Sequence, residues 1–147
     1  MLQGVAAGHP GVPNQQRDRE QATEDLRIGS HFAPIGLTGP FILHLSVRDG
    51  RLVFEVRDVR DAILRVFVFG LSAFRRLIKD YQHLVESYEE AVPGGNAARI
   101  ATIDMGRRGL HNEGAGLIIE RLRGKIDVDF ETARRLFTLV CVLHRRD

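Results

Sequence analysis

The pair Asp49-Gly50 lies between two runs in which apolar residues recur at every second position. Phe41 to Val47 is apolar at each odd position, and Leu52 to Val56 is apolar at each even position. Asp-Gly flanked by such runs is the strongest short-range signal of a two-residue β-hairpin. A third run, Ile63 to Phe69, follows after a short polar turn. The sequence therefore predicts a three-stranded antiparallel meander with one buried face.

Downstream of these runs the pattern becomes helical. Ser72 precedes apolar residues at three- and four-residue spacing, and Pro93 ends that pattern. Asn96 and Asp129 are suitable N-caps for two further helices, the first of which is expected to break at a glycine-rich stretch and resume at Leu117. The fold class predicted is α+β, with the meander followed by three helices packed on one face.

The length of 147 residues suits one domain. Residues 1–16 are rich in Gly, Pro, Ala and Gln, so we expect a flexible N-terminal tail there and a single α+β domain over residues 17–147. A short polar helix is expected to begin at Arg17. Hydrophobic residues at 44% and charged residues at 27% are typical of globular proteins.

Cys141 is the one cysteine, which excludes an internal disulfide and a cysteine-based zinc site and favours a reducing compartment. No apolar run is long enough to span a bilayer, and the first residues lack the pattern of a signal peptide. A cytoplasmic protein without a membrane partner is expected. The net charge of +2 is too small to imply a nucleic-acid partner by itself, and no motif indicates a cofactor.

Three long strings carry a family resemblance: Phe74 to Tyr81 (FRRLIKDY), Ile103 to Gly114 (IDMGRRGLHNEG) and Asp129 to His144 (DFETARRLFTLVCVLH). From about Phe32 to His144 the chain resembles the bacterial uncharacterised protein family 0262. The resemblance implies a bacterial protein and no assigned activity, so it transfers no catalytic residue. Met1 to Leu26 departs from the family, whose members open with a more apolar strand and helix.

Each of the three strings contains a pair of arginines, a side chain suited to bidentate binding of carboxylate or phosphate. Two of the pairs stand at predicted helix starts, where the helix dipole favours acidic residues instead. Convergence in space would produce an anion-binding surface for a phosphate-bearing or acidic partner, with RNA not excluded; ion pairing with nearby carboxylates is the alternative. The candidate anion-binding residues are Arg75, Arg76, Lys79, Arg107, Arg108, Arg134 and Arg135.

The segment Met105 to Gly116 holds four glycines, which are costly in a helix. Either their backbone approaches an anion, or Gly106 and Gly114 share a face that lets another helix pack closely. His111 and Glu113 stand in the same segment and are the candidate catalytic residues. Neither belongs to a known metal-binding motif, so no metal is expected.

The last helix is apolar at nearly every position from Leu136 to Leu143, with Thr138 as the exception. One helix face needs only a stripe, so the surplus Leu139, Val142 and Leu143 must be buried elsewhere. We predict a homodimer interface there; a central helix in a monomer is the alternative.

The functional hypothesis that follows is a non-enzymatic binding or regulatory protein with an arginine-rich anion-binding surface. The alternative is a small enzyme that acts on an anionic metabolite through His111 and Glu113. A deep pocket around His111 would favour the enzyme, and a broad, shallow basic surface would favour the binding protein.

Overall fold

The computed structural model describes residues 2–7 and 13–144. Along the chain, most of the strands come before most of the helical residues. The strands are β1 (Leu2–Ala7), β2 (Phe32–Pro34), β3 (Phe41–Arg48), β4 (Arg51–Arg57), β5 (Ile63–Gly70) and β6 (Ile126–Val128). The helices are α1 (Pro13–Gly29), α2 (Arg75–Gly94), α3 (Ala97–Leu122) and α4 (Phe130–Leu143), with a short 3-10 turn at Ser72–Phe74 before α2. The α+β class is confirmed.

The predicted hairpin joins β3 and β4, and Arg48 lies opposite Arg51 across the turn. Asp49 and Gly50 both have positive φ, 51° and 72°, as a two-residue turn of this kind requires. β5 pairs antiparallel with β4, which completes the meander. The buried residues are those that alternate along β3 and β4: Phe41, Leu43, Leu45, Leu52, Phe54 and Val56.

The meander is not the whole sheet, and this part of the prediction was wrong. β1 adds a fourth strand, parallel to β3, so that the strand order is β1-β3-β4-β5. A parallel pair needs a crossover connection, and α1 lies in that connection. A separate two-stranded sheet pairs β2 with β6.

β1 lies within residues 1–16, for which the sequence predicted a flexible tail and no strand. Leu2 is fully buried although its neighbours are mostly glycine and alanine. The strand depends on pairing with β3, a tertiary contact that local composition does not encode. α1 starts at Pro13 rather than Arg17 and anchors through Ala22 and Leu26, both buried.

The described residues form four helices: α1, where the sequence predicted a short helix, and the three that follow the meander, α2, α3 and α4. Asn96 and Asp129 cap α3 and α4 as predicted, by accepting hydrogen bonds from the backbone N–H of Arg99 (3.1 Å) and Thr132 (2.8 Å). Ser72 makes no capping hydrogen bond and begins the 3-10 turn instead. α3 runs unbroken through the glycine-rich segment, contrary to the expected interruption.

α4 is the central helix of the chain, walled by α1 and α3 and touching α2 and β3. Leu139, Val142 and Leu143, the residues predicted to face a second copy, are at most 5% exposed within the single chain. The reason for a dimer through this helix therefore disappears, since other parts of the same chain already cover these three residues. The oligomeric state itself stays a prediction.

Candidate functional site

An open cleft of about 210 Å³ lies where α1, α3 and α4 meet. Because α1 and α3 both pack against α4, their polar edges face each other across the exposed side of that helix. The cleft brings together side chains from distant parts of the chain: Gln21, Ala22, Asp25, Arg107, His111, Glu131, Arg134, Arg135 and Thr138.

Arg134 and Arg135 form the floor on the α4 side and are held by carboxylates. Nη1 of Arg135 donates to Oε2 of Glu131 at 2.9 Å, and its Nε lies 3.3 Å from Oδ2 of Asp25 in an ion pair. Nη1 of Arg134 reaches Oε1 of Glu131 at 3.4 Å. Both side chains are about one-third exposed and line the cleft.

These contacts stabilise the charged forms of both partners. The hydrogen bond from Arg135 lowers the pKa of Glu131, with the charge of Arg134 acting in the same direction. Burial alone would lower the pKa of Arg135, but the hydrogen bond to Glu131 and the charge of Asp25 outweigh it and raise that pKa. Glu131 and Arg135 therefore stay ionised at neutral pH.

His111 occupies the inner wall of the cleft. Its Nε2 lies 3.3 Å from Oγ1 of Thr138, whose hydroxyl donates to the backbone oxygen of Arg134 at 3.2 Å. The imidazole packs edge-on to Phe137 at 6.1 Å and lies 5.9 Å from the Tyr81 ring. His111 is thus half-buried, with its ring fixed by aromatic neighbours and one nitrogen directed at a hydroxyl.

Arg107 completes the basic side of the cleft from α3, one turn before His111. Its Cζ lies 5.9 Å from the centroid of Tyr88, within the range of a cation–π contact. The three guanidinium groups of Arg107, Arg134 and Arg135 oppose the two carboxylates of Asp25 and Glu131.

The other predicted anion-binding residues lie elsewhere. Arg108 is exposed and does not line the cleft, although it follows Arg107 directly. Arg75 and Lys79 line a separate hollow of about 290 Å³ beside His144. Arg76 pairs with Asp80 at 3.2 Å and with Glu113 across the α2–α3 interface. The structure thus brings together one of the three arginine pairs in full and half of another.

His111 and Glu113 point to different sides of α3. His111 faces the cleft, whereas Glu113 bonds to Arg76 on α2 and does not line it. Residues two apart on a helix are about 200° apart around its axis, so this separation follows from helix geometry. The carboxylates that share the cleft with His111 are those of Asp25 and Glu131.

At one position at least, a glycine of the glycine-rich segment is needed for helix packing. A Cβ added at Gly114 would overlap the ring of Phe137, so only glycine lets α3 approach α4 this closely. A Cβ added at Gly106 would lie 3.4 Å from the nearest side-chain carbon of Leu84, an ordinary contact. A Cβ added at Gly109 or Gly116 would meet nothing within 4 Å. The packing interpretation therefore explains Gly114 fully and leaves Gly109 and Gly116 unexplained.

Sequence reasoning missed Gln21, Asp25, Glu131 and Thr138 as cleft residues. Thr138 carried a signal, because it is the polar exception in the apolar run of α4. Asp25 and Gln21 carried none, since their helix is polar along its length and any of its side chains could face outward.

Two classes of site find no support in the part of the chain that the structure covers. Over residues 2–7 and 13–144, no three His, Cys, Asp or Glu side chains are grouped so that they could hold a metal ion. None of the helices in these ranges is long and apolar enough to cross a membrane.

Comparison with known proteins gives a family but no activity. The family model described as an uncharacterised protein family, UPF0262, matches residues 5–146. UPF0262 proteins of Granulibacter bethesdensis and Acidiphilium cryptum are 54% and 56% identical, over 91% of this chain and 81% and 83% of theirs. One from Maricaulis maris is 51% identical over 99% of this chain and 91% of its own. No solved structure is significantly similar. The chain, like these bacterial relatives, belongs to the uncharacterised family UPF0262.

Proposed function

We propose that this protein is a binding or regulatory protein whose α1–α3–α4 cleft, defined by the residues named above, holds a small anionic ligand. The observation that carries the proposal is the convergence of Arg107, Arg134 and Arg135 on one cleft from two different helices. Guanidinium groups bind phosphate and carboxylate through paired hydrogen bonds, and partial burial strengthens such bonds.

The size of the cleft supports a small ligand rather than a polyanion. Its volume of about 210 Å³ suits a small molecule that carries a phosphate or carboxylate group. Asp25 and Glu131 hold the arginines in place before binding, which reduces the ordering cost that a ligand would otherwise meet. The hydroxyl of Thr138 and the ring of His111 supply polar contacts at the inner end.

Isothermal titration calorimetry with inorganic phosphate and a small phosphate ester, at low salt, tests the proposal. Binding should be detected and should weaken as salt rises. Arg107→Ala should weaken it roughly tenfold or more, because a hydrogen bond to a charged group contributes about 1.5–3 kcal/mol. The matched control is Arg108→Ala, which removes the same charge from the neighbouring position outside the cleft.

Absence of binding to the wild-type protein, or equal weakening by both variants, would overturn the cleft as the anion site. RNA binding that Arg75→Ala and Lys79→Ala weaken more than Arg107→Ala does would assign the anion-binding surface to α2 instead. Both results are readable in the same series of variants by filter binding.

Catalysis is the second candidate, and one observation favours it: His111 lies in the cleft beside the arginines. Glu113 lies outside the cleft, so a proton-transfer pair would need Glu131 in its place. The cleft is open and not enclosed, which favours binding over catalysis. The cytoplasmic location expected from the sequence stays a prediction.

A further inference from the structure

α1 supplies one wall of the cleft and contributes few side chains to the core. Over residues 20–29, the part of α1 whose side chains the structure describes, Ala22 and Leu26 are buried. α4, which forms the floor of the cleft, has nine buried residues, and α3, which forms the facing wall, has five. A helix that is held by few buried side chains opens at a lower free-energy cost than the core around it. Of the three helices that form the cleft, α1 is therefore the one expected to open first.

The carboxyl end of α1 is tied down just beyond the cleft. The backbone N–H of His31 donates to Oγ1 of Thr132 at 2.9 Å, and Thr132 is buried at the start of α4. The N–H of Leu2 in β1 donates to Oγ of Ser30 at 3.4 Å. Because these contacts fix the chain where α1 ends, a movement of α1 away from the cleft would pivot near residues 30–31.

Inside the cleft, Asp25 links the α1 wall to the floor. Its Oδ2 lies 3.3 Å from Nε of Arg135, and its Oδ1 accepts a hydrogen bond from Nε2 of Gln21 at 3.0 Å. The side chains of Asp25 and Arg135 are about one-third exposed, so water and salt screen their ion pair only in part. Arg135 is also one of the three arginines assigned above to the anionic ligand. One guanidinium group thus contacts both α1 and the proposed ligand.

We propose that occupancy of the cleft controls the docking of α1 on α4, with the ion pair of Asp25 and Arg135 as the link. This inference rests on the anionic ligand proposed for the cleft. The complete cleft exists only while α1 is docked, because Gln21, Ala22 and Asp25 form one of its walls. A ligand that binds the docked form better than the open form shifts the equilibrium towards docking. The order of α1 then reports whether the anion is bound.

The carboxylate of Asp25 has two opposing effects on an anion in the cleft. Its negative charge by itself opposes the binding of an anion. Its contact with Arg135 acts in the other direction, because it holds a ligand-binding guanidinium group in place and keeps α1 beside it. The coupling requires the second effect to be the larger, so the sign of the change on removing this charge distinguishes the two roles.

Hydrogen exchange of the full chain, followed by mass spectrometry with and without inorganic phosphate, tests the coupling. Without phosphate, the amides of residues 22–29 should exchange faster than those of α4. At a phosphate concentration about 100 times the dissociation constant, exchange in α1 should slow by up to roughly hundredfold, because opening then competes with binding. The last turn of α2, Ala91 to Gly94, lines no part of the cleft and is the internal control, where exchange should not change.

The variant Asp25→Asn tests the link itself in calorimetry with phosphate. It removes a negative charge from the cleft, yet it should weaken binding roughly two- to fivefold, the range expected for a partly exposed ion pair. The matched control is Glu24→Gln, which removes the same charge from the preceding residue. Glu24 pairs with Arg27 within α1 and does not line the cleft, so this variant should bind phosphate no more weakly than the wild type. Circular dichroism checks that both variants are folded.

The outcomes separate this coupling from the anion site on which it rests. Phosphate binding that leaves exchange in α1 unchanged, or an α1 that exchanges as slowly as α4 without phosphate, would overturn the coupling and leave the anion site in place. Tighter binding by Asp25→Asn would mean that this carboxylate only repels the ligand, and would exclude it as the link. A wild-type protein that binds no phosphate would overturn both the anion site and the coupling.

Discussion

The two sides of α3 carry the same residue types and do different things with them. On the side towards α4, Arg107 and His111 line the cleft and Gly114 lets Phe137 pack against the helix. On the opposite side, Arg108 is exposed and Gly116 meets nothing within 4 Å. Neighbours in sequence thus have opposite roles because successive residues are about 100° apart around a helix.

The difference teaches that a cluster of unusual residues in a sequence is not yet a site. In the sequence, the arginines, glycines and histidine of Met105 to Gly116 form one cluster and suggest one site. In the structure, the helix places some of them on its packed side and others on its solvent-exposed side. Three pairs of variants sharpen this comparison: two pairs lie within α3, and the third sets Glu113 of α3 against Glu131 of α4.

The largest effect is expected at the glycines. Gly114→Ala should destabilise the protein by about 1–3 kcal/mol, because the new methyl group overlaps the Phe137 ring in a packed interface. Gly116→Ala should stabilise it by up to about 1 kcal/mol, since alanine is the better helix former and nothing obstructs its Cβ. Urea unfolding followed by circular dichroism measures both; equal effects would mean that the two sides do not differ in packing.

The second-largest effect on stability is expected at His111. His111→Ala removes two ring contacts and the contact with Thr138, so a loss of about 1–2 kcal/mol is expected. Asn112→Ala, on the exposed side, should change stability by less than about 0.5 kcal/mol. Thermal melting measures the pair.

The same variant separates structure from catalysis. A large drop in melting temperature with no turnover in a metabolite screen would make His111 a structural residue of the cleft wall. A folded, fully stable His111→Ala variant that loses a detected turnover would contradict the structural role and support the enzyme.

The smallest effect is expected at Glu113. Its ion pair with Arg76 joins side chains that are 53% and 64% exposed, so Glu113→Gln should cost less than about 1 kcal/mol and less still at high salt. Chemical denaturation at two salt concentrations gives the value. A cost above about 2 kcal/mol would show that the pair clamps α2 to α3 more firmly than its exposure indicates.

Glu131 is the carboxylate to be compared with Glu113 in these stability measurements. Arg135 lowers the pKa of Glu131 below its usual 4.5, so its contribution to stability is present above that value and is lost as the pH falls through the lowered pKa. Glu131→Gln should therefore flatten the acid limb of the pH–stability curve. An unchanged acid limb would mean that the carboxylate does not hold Arg135 in solution.

Much of the local structure was determined by the sequence itself. The Asp49-Gly50 hairpin, the caps at Asn96 and Asp129 and the helix break after Pro93 are all present, because each depends on backbone geometry and hydrogen bonds within a few residues. Family membership was also readable from the three long strings, and the match over residues 5–146 confirms it.

The tertiary structure alone decided β1, the central position of α4 and the make-up of the cleft. β1 exists through pairing with β3, and α4 is covered by α1 and α3, both contacts between segments far apart in the chain. Asp25 and Arg135 meet across more than a hundred residues. A local sequence pattern shows which side of a helix or strand is apolar, but it does not show which other helix or strand covers that side. That choice depends on how the whole chain packs, and the cleft exists only because α1 and α3 pack beside each other on α4.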